Sequence, residues 1–143
     1  MRFLKKWSLF SCLLGLTFCK AVPFAPNQYE GDMLRFGKGG GITGSVTEFV
    51  LSDKGVLYRG EGMMDRTFTK VKSLPRGIFS QMVTNYQVLG LGELEINQPG
   101  DLYFFLEYQH EGKTQRLVWG DTRYDPPKNL QLFYKILVEQ TKE

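Results

Sequence analysis

The sequence predicts an α+β domain, because several short segments have the two-residue period of β-strands and two longer segments have the period of an α-helix. We expect an antiparallel sheet of about five to six strands, in the order βββ(β)αββα, with two helices packed on one face. A parallel crossover is disfavoured, since only one predicted helix lies between strands. Residues 32–142 are expected to form this single domain, which is long enough for one hydrophobic core.

The first part of the domain has the pattern of strands. The predicted strands cover residues 33–36, 45–52, 56–59 and 66–72, and the last of them suits a sheet edge. The four glycines within residues 37–41 are expected to break the first strand and to form a bulged or wide turn. Gly55 supplies a turn between the second and third strands, which predicts a hairpin.

Two helices and a second hairpin follow. The first predicted helix covers residues 76–89, and the apolar side chains of its buried face are Ile78, Phe79, Met82, Tyr86 and Leu89. The hairpin pairs residues 102–109 with residues 114–119 around a turn that contains His110. Its first strand has aromatic residues on both faces, which indicates a central position in the sheet. The last helix is expected to be capped by Asp125, and its apolar stripe is Leu130, Phe133, Tyr134 and Leu137.

Residues 1–19 have the features of a secretory signal peptide. Arg2, Lys5 and Lys6 make a basic start, and an apolar stretch follows over residues 7–18. This stretch has about twelve residues, whereas a helix that spans a bilayer needs roughly twenty. We therefore expect an exported protein without a permanent transmembrane anchor.

The end of this segment resembles the lipobox of bacterial lipoproteins. The matching residues are Leu16-Thr17-Phe18-Cys19, although Phe18 stands where a small residue is usual. The resemblance implies that Cys19 carries diacylglycerol and holds the protein on a membrane of the cell envelope. The alternative is cleavage after Ala21, which would give a secreted or periplasmic soluble protein. Residues 20–31 contain two prolines and are expected to form a flexible tether.

Composition argues against a disulfide-stabilised scaffold and against a nucleic-acid-binding protein. Both cysteines, Cys12 and Cys19, lie in the signal segment, so a scaffold of internal disulfides is not expected. Without the signal segment, 15 of the 18 Lys and Arg residues remain, against 15 Asp and Glu residues. This balanced charge does not favour a nucleic-acid partner, because binding to phosphates needs a cationic face.

The residues supply few parts for catalysis, so we expect a non-enzymatic domain without a catalytic, cofactor-binding or metal-binding site. The one histidine, His110, lies in a predicted turn, and no cysteine follows Cys19. Metal sites need several convergent ligands, and no segment offers that spacing. The glycines of residues 36–44 are followed by a strand, whereas a phosphate-binding loop leads into a helix.

Aromatic residues offer a candidate binding surface. Those that could share a sheet face or its edge are Tyr103, Phe105, Trp119 and Tyr124. Exposed rings of this kind stack on a protein or glycan ligand in the cell envelope, and buried ones pack into a core. The hypothesis is a binding domain for such a ligand.

A second functional hypothesis is a small carboxylate-dependent hydrolase of the envelope. Its candidate acids lie near predicted strand ends and are Glu93, Glu95, Asp101, Asp121 and Asp125. Two such groups with different pKa values can hydrolyse a glycosidic bond.

Three motifs resemble a family of small uncharacterised bacterial envelope lipoproteins. They are Phe36-Gly37-Lys38-Gly39-Gly40-Gly41, then Thr43-Gly44-Ser45-Val46-Thr47, and then Asn97-Gln98-Pro99-Gly100-Asp101-Leu102-Tyr103. The resemblance extends over residues 34–137. It implies a lipoprotein, and it implies no catalytic residue, ligand or partner.

Overall fold

A computed structural model describes residues 22–142. The signal segment and Cys19 therefore lie outside the described residues. Within residues 22–142, the strands of the one sheet are β1 Met33–Gly40, β2 Ser45–Ser52, β3 Val56–Gly62, β4 Phe68–Ser73, β5 Asn97–Gln98, β6 Leu102–His110 and β7 Lys113–Trp119. The two α-helices of the same part are α1 Ile78–Val88 and α2 Lys128–Glu139.

The strands lie side by side in the order β4-β3-β2-β1-β6-β7-β5. Strands β1 to β4 form an antiparallel meander, and β6 pairs with the free side of β1. The α+β class is confirmed, but the sheet has seven strands and is mixed. The additional strand β5 runs parallel to β7 and has two residues, too few for a periodic signal in the sequence.

Strand β1 is longer than predicted, because it continues through Gly37 and Gly39 to Gly40. The prediction that these glycines break the strand is wrong. A Cβ atom on Gly37 would collide with the backbone oxygen of Thr47, and one on Gly39 would collide with the Tyr103 ring. These glycines therefore allow close approach of neighbouring chains within the sheet. The expected turn is limited to residues 41–44.

Both helices pack on one face of the sheet, as predicted. Helix α1 contributes Met82 and Tyr86 to the main core, and α2 contributes Leu130, Phe133 and Leu137. The buried sheet residues that they cover include Leu34, Phe36, Leu51, Leu57, Leu106, Leu117 and Trp119. None of the helices described in residues 22–142 is both long and apolar enough to cross a bilayer.

Asp125 does not cap α2, contrary to the prediction. The N-cap residue is Pro127, which has no side-chain group to donate or accept a hydrogen bond there. The helix begins at Lys128, three residues beyond Asp125, and the fixed φ of Pro127 suits the position that leads into a helix.

Most of the segment predicted as a tether packs on the opposite face of the sheet. Phe24 stacks on Tyr58 with ring centroids 3.8 Å apart, and both pack against a small cluster of Met33, Val50 and Phe68. The flexible-tether prediction therefore fails from Phe24 onwards. Burial of aromatic surface holds this segment in place, since each aromatic ring removes a large apolar area from water.

We expect Gly40→Ala to destabilise the protein more than Gly44→Ala does. Both glycines have positive φ, at 97° and 61°, so each alanine carries backbone strain of roughly 1–2 kcal/mol. Only at Gly40 would the added Cβ also collide with a backbone atom, the carbonyl oxygen of Asp101. Free energies of unfolding in urea measure the difference, and equal losses for the two variants would contradict it.

Candidate functional site

A line of alternating charges crosses the sheet face opposite the helices, and we name it the charge ladder. Its members, in spatial order, are Arg116, Glu107, Arg35, Glu48 and Arg66. The first four lie on β7, β6, β1 and β2, and the last lies on the connection between β3 and β4. Strand register brings them together, because β7 and β1 each place an arginine directly opposite Glu107 of β6.

Each carboxylate of the charge ladder lies between two guanidinium groups. Arg116 Nη1 donates to Glu107 Oε2 at 2.9 Å, and Arg35 Nη1 lies 3.4 Å from Glu107 Oε1. Arg35 Nε donates to Glu48 Oε1 at 2.5 Å, and Arg66 Nη2 donates to Glu48 Oε2 at 2.7 Å. Both oxygens of each carboxylate therefore face a positive charge.

The two carboxylates of the charge ladder are more buried than the arginines that flank them. Glu48 is only 1% exposed, and a carboxylate so deep in the protein must be paired to remain charged. The Arg116 side chain, at one end of the charge ladder, is 41% exposed, and its guanidinium lies 4.3 Å from the centre of the Phe105 ring. Three arginines face two glutamates, so the charge ladder has one positive charge in excess. This excess favours negatively charged oxygen groups of a ligand near it.

The N-terminal segment, residues 23–28, covers the part of the charge ladder that contains Arg35 and Arg66 and leaves a cavity there. Arg35 Nη1 donates to Asn27 Oδ1 at 3.1 Å, which ties the segment to the ladder. The cavity has a volume of about 640 Å³ and lies between residues 23–28 and residues 64–68. We name it the ladder cavity, and its polar lining residues include Asn27, Gln28, Arg35, Asp65 and Arg66.

Arg66, which lines the ladder cavity, has one side-chain donor without a partner. Within the described part of the chain, the Nε atom of Arg66 is buried and makes no hydrogen bond. A buried donor without an acceptor costs about 1–3 kcal/mol.

The structure does not bring together the four aromatic residues predicted as a binding surface. Tyr103 and Phe105 lie on the same face as the charge ladder, and Phe105 is buried beneath Arg116. Trp119 is on the helix side, where it packs on Tyr134, and Tyr124 packs against the main core. Only Tyr103, which is half-buried, contributes to an accessible part of the open face.

The candidate acids are also spread over several places. Glu93 and Glu95 are exposed and line a cleft of about 760 Å³ beside β7, and Asp101 lines a different cleft. Asp121 accepts hydrogen bonds from Arg123, which lower the pKa of the Asp121 carboxyl. Asp125 is exposed just before α2.

His110 forms a hydrogen bond with Asp32, away from the charge ladder. Its Nδ1 atom lies 2.6 Å from Asp32 Oδ2, and this hydrogen bond raises the pKa of His110 above its usual value. The imidazole is half exposed at the turn between β6 and β7. Among residues 22–142, no group of three His, Cys, Asp or Glu side chains is placed to hold a metal ion.

No family model matches the chain, and no curated protein matches it. Its function is therefore inferred from the site. Sequence reasoning missed the charge ladder, although one signal was present, since Glu48 shares a strand face with Val46 and Val50. An acid between two buried apolar residues predicts a buried partner of opposite charge.

We expect Glu48→Gln to lower the free energy of unfolding by about 3 kcal/mol, because it removes the buried carboxylate that pairs with both Arg35 and Arg66 and leaves Glu107 as the one ladder carboxylate beside Arg35. The matched control is Glu61→Gln. Glu61 pairs with Arg59 on the surface, where both side chains are about half exposed, so its loss should change stability by less than about 1 kcal/mol. Urea denaturation of both variants tests this, and a Glu48→Gln protein as stable as the control would contradict it.

Proposed function

We propose that this is an exported, lipid-anchored protein whose non-enzymatic α+β domain binds a glycan of the cell envelope in the ladder cavity. The observation that carries the proposal is this cavity, which lies over a buried ion-pair network. Its volume of about 640 Å³ is within the range of about 300–1,000 Å³ that ligand pockets occupy.

The chemistry of the lining favours a sugar. The guanidinium groups of Arg35 and Arg66 offer fixed donors, while the side chains of Asn27 and Asp65 offer acceptors for hydroxyl groups. Phe24 and Phe68 also line the ladder cavity and give apolar surface for the C–H face of a sugar ring. A ligand with many hydroxyl groups on an apolar ring matches this combination.

Two alternatives are supported less well. A protein partner normally covers about 800 Å² on each side of an interface, whereas the ladder cavity is a small concave site. A hydrolase needs a general acid whose pKa is raised by burial or by a like charge. Glu93 and Glu95, which share one cleft, are both exposed to solvent.

The anchor is proposed from the sequence of the first residues. The basic start, the short apolar stretch and Leu16-Thr17-Phe18-Cys19 support export followed by lipid attachment. Two or more acyl chains, at about 0.8 kcal/mol for each buried methylene, hold a protein stably on a membrane. The packed position of Phe24 then keeps the domain close to that membrane.

Intact mass spectrometry of the membrane fraction tests the anchor. We expect a mature chain that begins at Cys19 and carries a diacylglyceryl addition. The Cys19→Ala variant should lose this addition and leave the membrane fraction, because it lacks the thiol that carries the lipid. A mature chain that begins after Ala21, without any lipid, would contradict the anchor.

Binding to an oligosaccharide array tests the ligand, with the detergent-solubilised mature protein as the probe. We expect Asn27→Ala and Gln28→Ala to weaken binding of the glycans recognised by about two- to tenfold, because each removes a polar contact. Gln87→Ala is the matched control, since Gln87 is exposed on α1 in the helix layer.

Equal affinity of Gln28→Ala and Gln87→Ala would place the glycan outside the ladder cavity. A failure of the wild-type protein to bind any oligosaccharide would contradict glycan binding and leave the anchor result unaffected.

A further inference from the structure

Several large apolar side chains are exposed at one end of the sheet, which we name the apolar end. They are Ile42, Met63, Met64 and Leu102, and each exposes more than half of its surface. Ile42 lies in the β1–β2 turn, the methionines lie in the β3–β4 connection and Leu102 begins β6. Scattered apolar residues are common on protein surfaces, but a group drawn from two connections and the start of a strand marks an interaction surface.

Strand register places these residues at the same end. Gly40, the last residue of β1, pairs with Ser45 on one side and with Leu102 on the other. In the next row of the sheet, Val46 pairs with Gly62, which directly precedes the two methionines. The β1–β2 turn and the β3–β4 connection therefore project beyond the same end of the sheet.

The beginning of the described chain lies beside this end. Phe24 forms an isolated bridge with Phe68, the first residue of β4 after the connection that carries the methionines. Pro23 and Met64 line the same cavity. Cys19 precedes Val22 by three residues, and three residues of chain span at most about 10 Å. A lipid on Cys19 would therefore enter the bilayer close to the apolar end.

We propose that the apolar end rests on the surface of the bilayer that holds the Cys19 lipid, so that the strands point away from the membrane. This inference rests on the anchor proposed above. The β3–β4 connection is suited to the interface between membrane and water, because Asp65 and Arg66 directly follow the methionines and keep charged groups beside the apolar side chains. The lipid surface is the favoured partner because the anchor keeps it within reach.

Single-cysteine labelling tests this orientation. No cysteine follows Cys19, so once that residue is lipidated an introduced cysteine is the one free thiol. The test variants are Ile42→Cys and Met64→Cys, each labelled with an environment-sensitive fluorophore in the full mature lipoprotein. The vesicles contain phosphatidylcholine and phosphatidylglycerol, with or without a nitroxide-labelled lipid that quenches fluorescence on contact.

Val88→Cys is the matched control, because Val88 is an equally exposed apolar residue at the opposite end of the sheet. It lies two residues after Tyr86, whose hydroxyl donates to Gln115. Gln115 pairs with Tyr108, near the end of β6 opposite to Leu102.

We expect the labels at positions 42 and 64 to lose about half of their fluorescence in nitroxide vesicles, since apolar interfacial groups insert about 5–10 Å into the boundary between headgroups and acyl chains. The label at position 88 should keep its fluorescence. An equal loss of fluorescence to the nitroxide at all three positions, in protein whose mass shows the lipid, would overturn the orientation and leave the anchor standing. Absence of the lipid from the wild-type mass would overturn both.

Discussion

Pairing of β1 along its whole length on both sides is the constraint on which the rest of the fold depends. All eight of its residues have a partner in β2 and another in β6. The strand therefore joins the meander to the β6–β7 hairpin, and it contributes Leu34 and Phe36 to the core beneath the helices and Met33 to the cluster on the other face. Its glycines allow the neighbouring chains to approach, and Tyr134 of α2 donates to the carbonyl oxygen of Gly37 at 2.8 Å.

Periodicity predicts the fold where buried side chains recur at regular intervals along the sequence. It fails where contacts between residues far apart in the sequence decide the structure. The ends of β2 and the existence of both helices follow from repeating apolar positions. Gly39 has low strand propensity, and a tyrosine from β6 packs over it in a way that no local pattern predicts. Phe24 follows a proline in a segment without periodicity, and its place on Tyr58 depends on a partner more than thirty residues away.

The candidate site was less predictable than the fold, because strand register decides which side chains meet. Trp119 pairs with Phe104, so alternation places it on the face opposite to Phe105. The same register aligns Arg35 and Glu107 from strands separated by most of the domain. Glu48 alone gave a local signal, as an acid on an apolar strand face. The resulting ion pairs occupy the face of the sheet that the helices leave open, and the N-terminal segment covers part of that face.

The outer edge of β4 has a consequence for contacts between copies of the protein. The strand ends the sheet on that side, and beyond the isolated bridge between Phe24 and Phe68 its backbone groups are available to a further strand. Lys70 and Lys72 lie along this edge, and Lys70 is exposed. Two molecules that approached each other there would bring like charges together and bury lysine ammonium groups. Polymerisation by sheet extension is thus opposed at this edge, even where many copies crowd together.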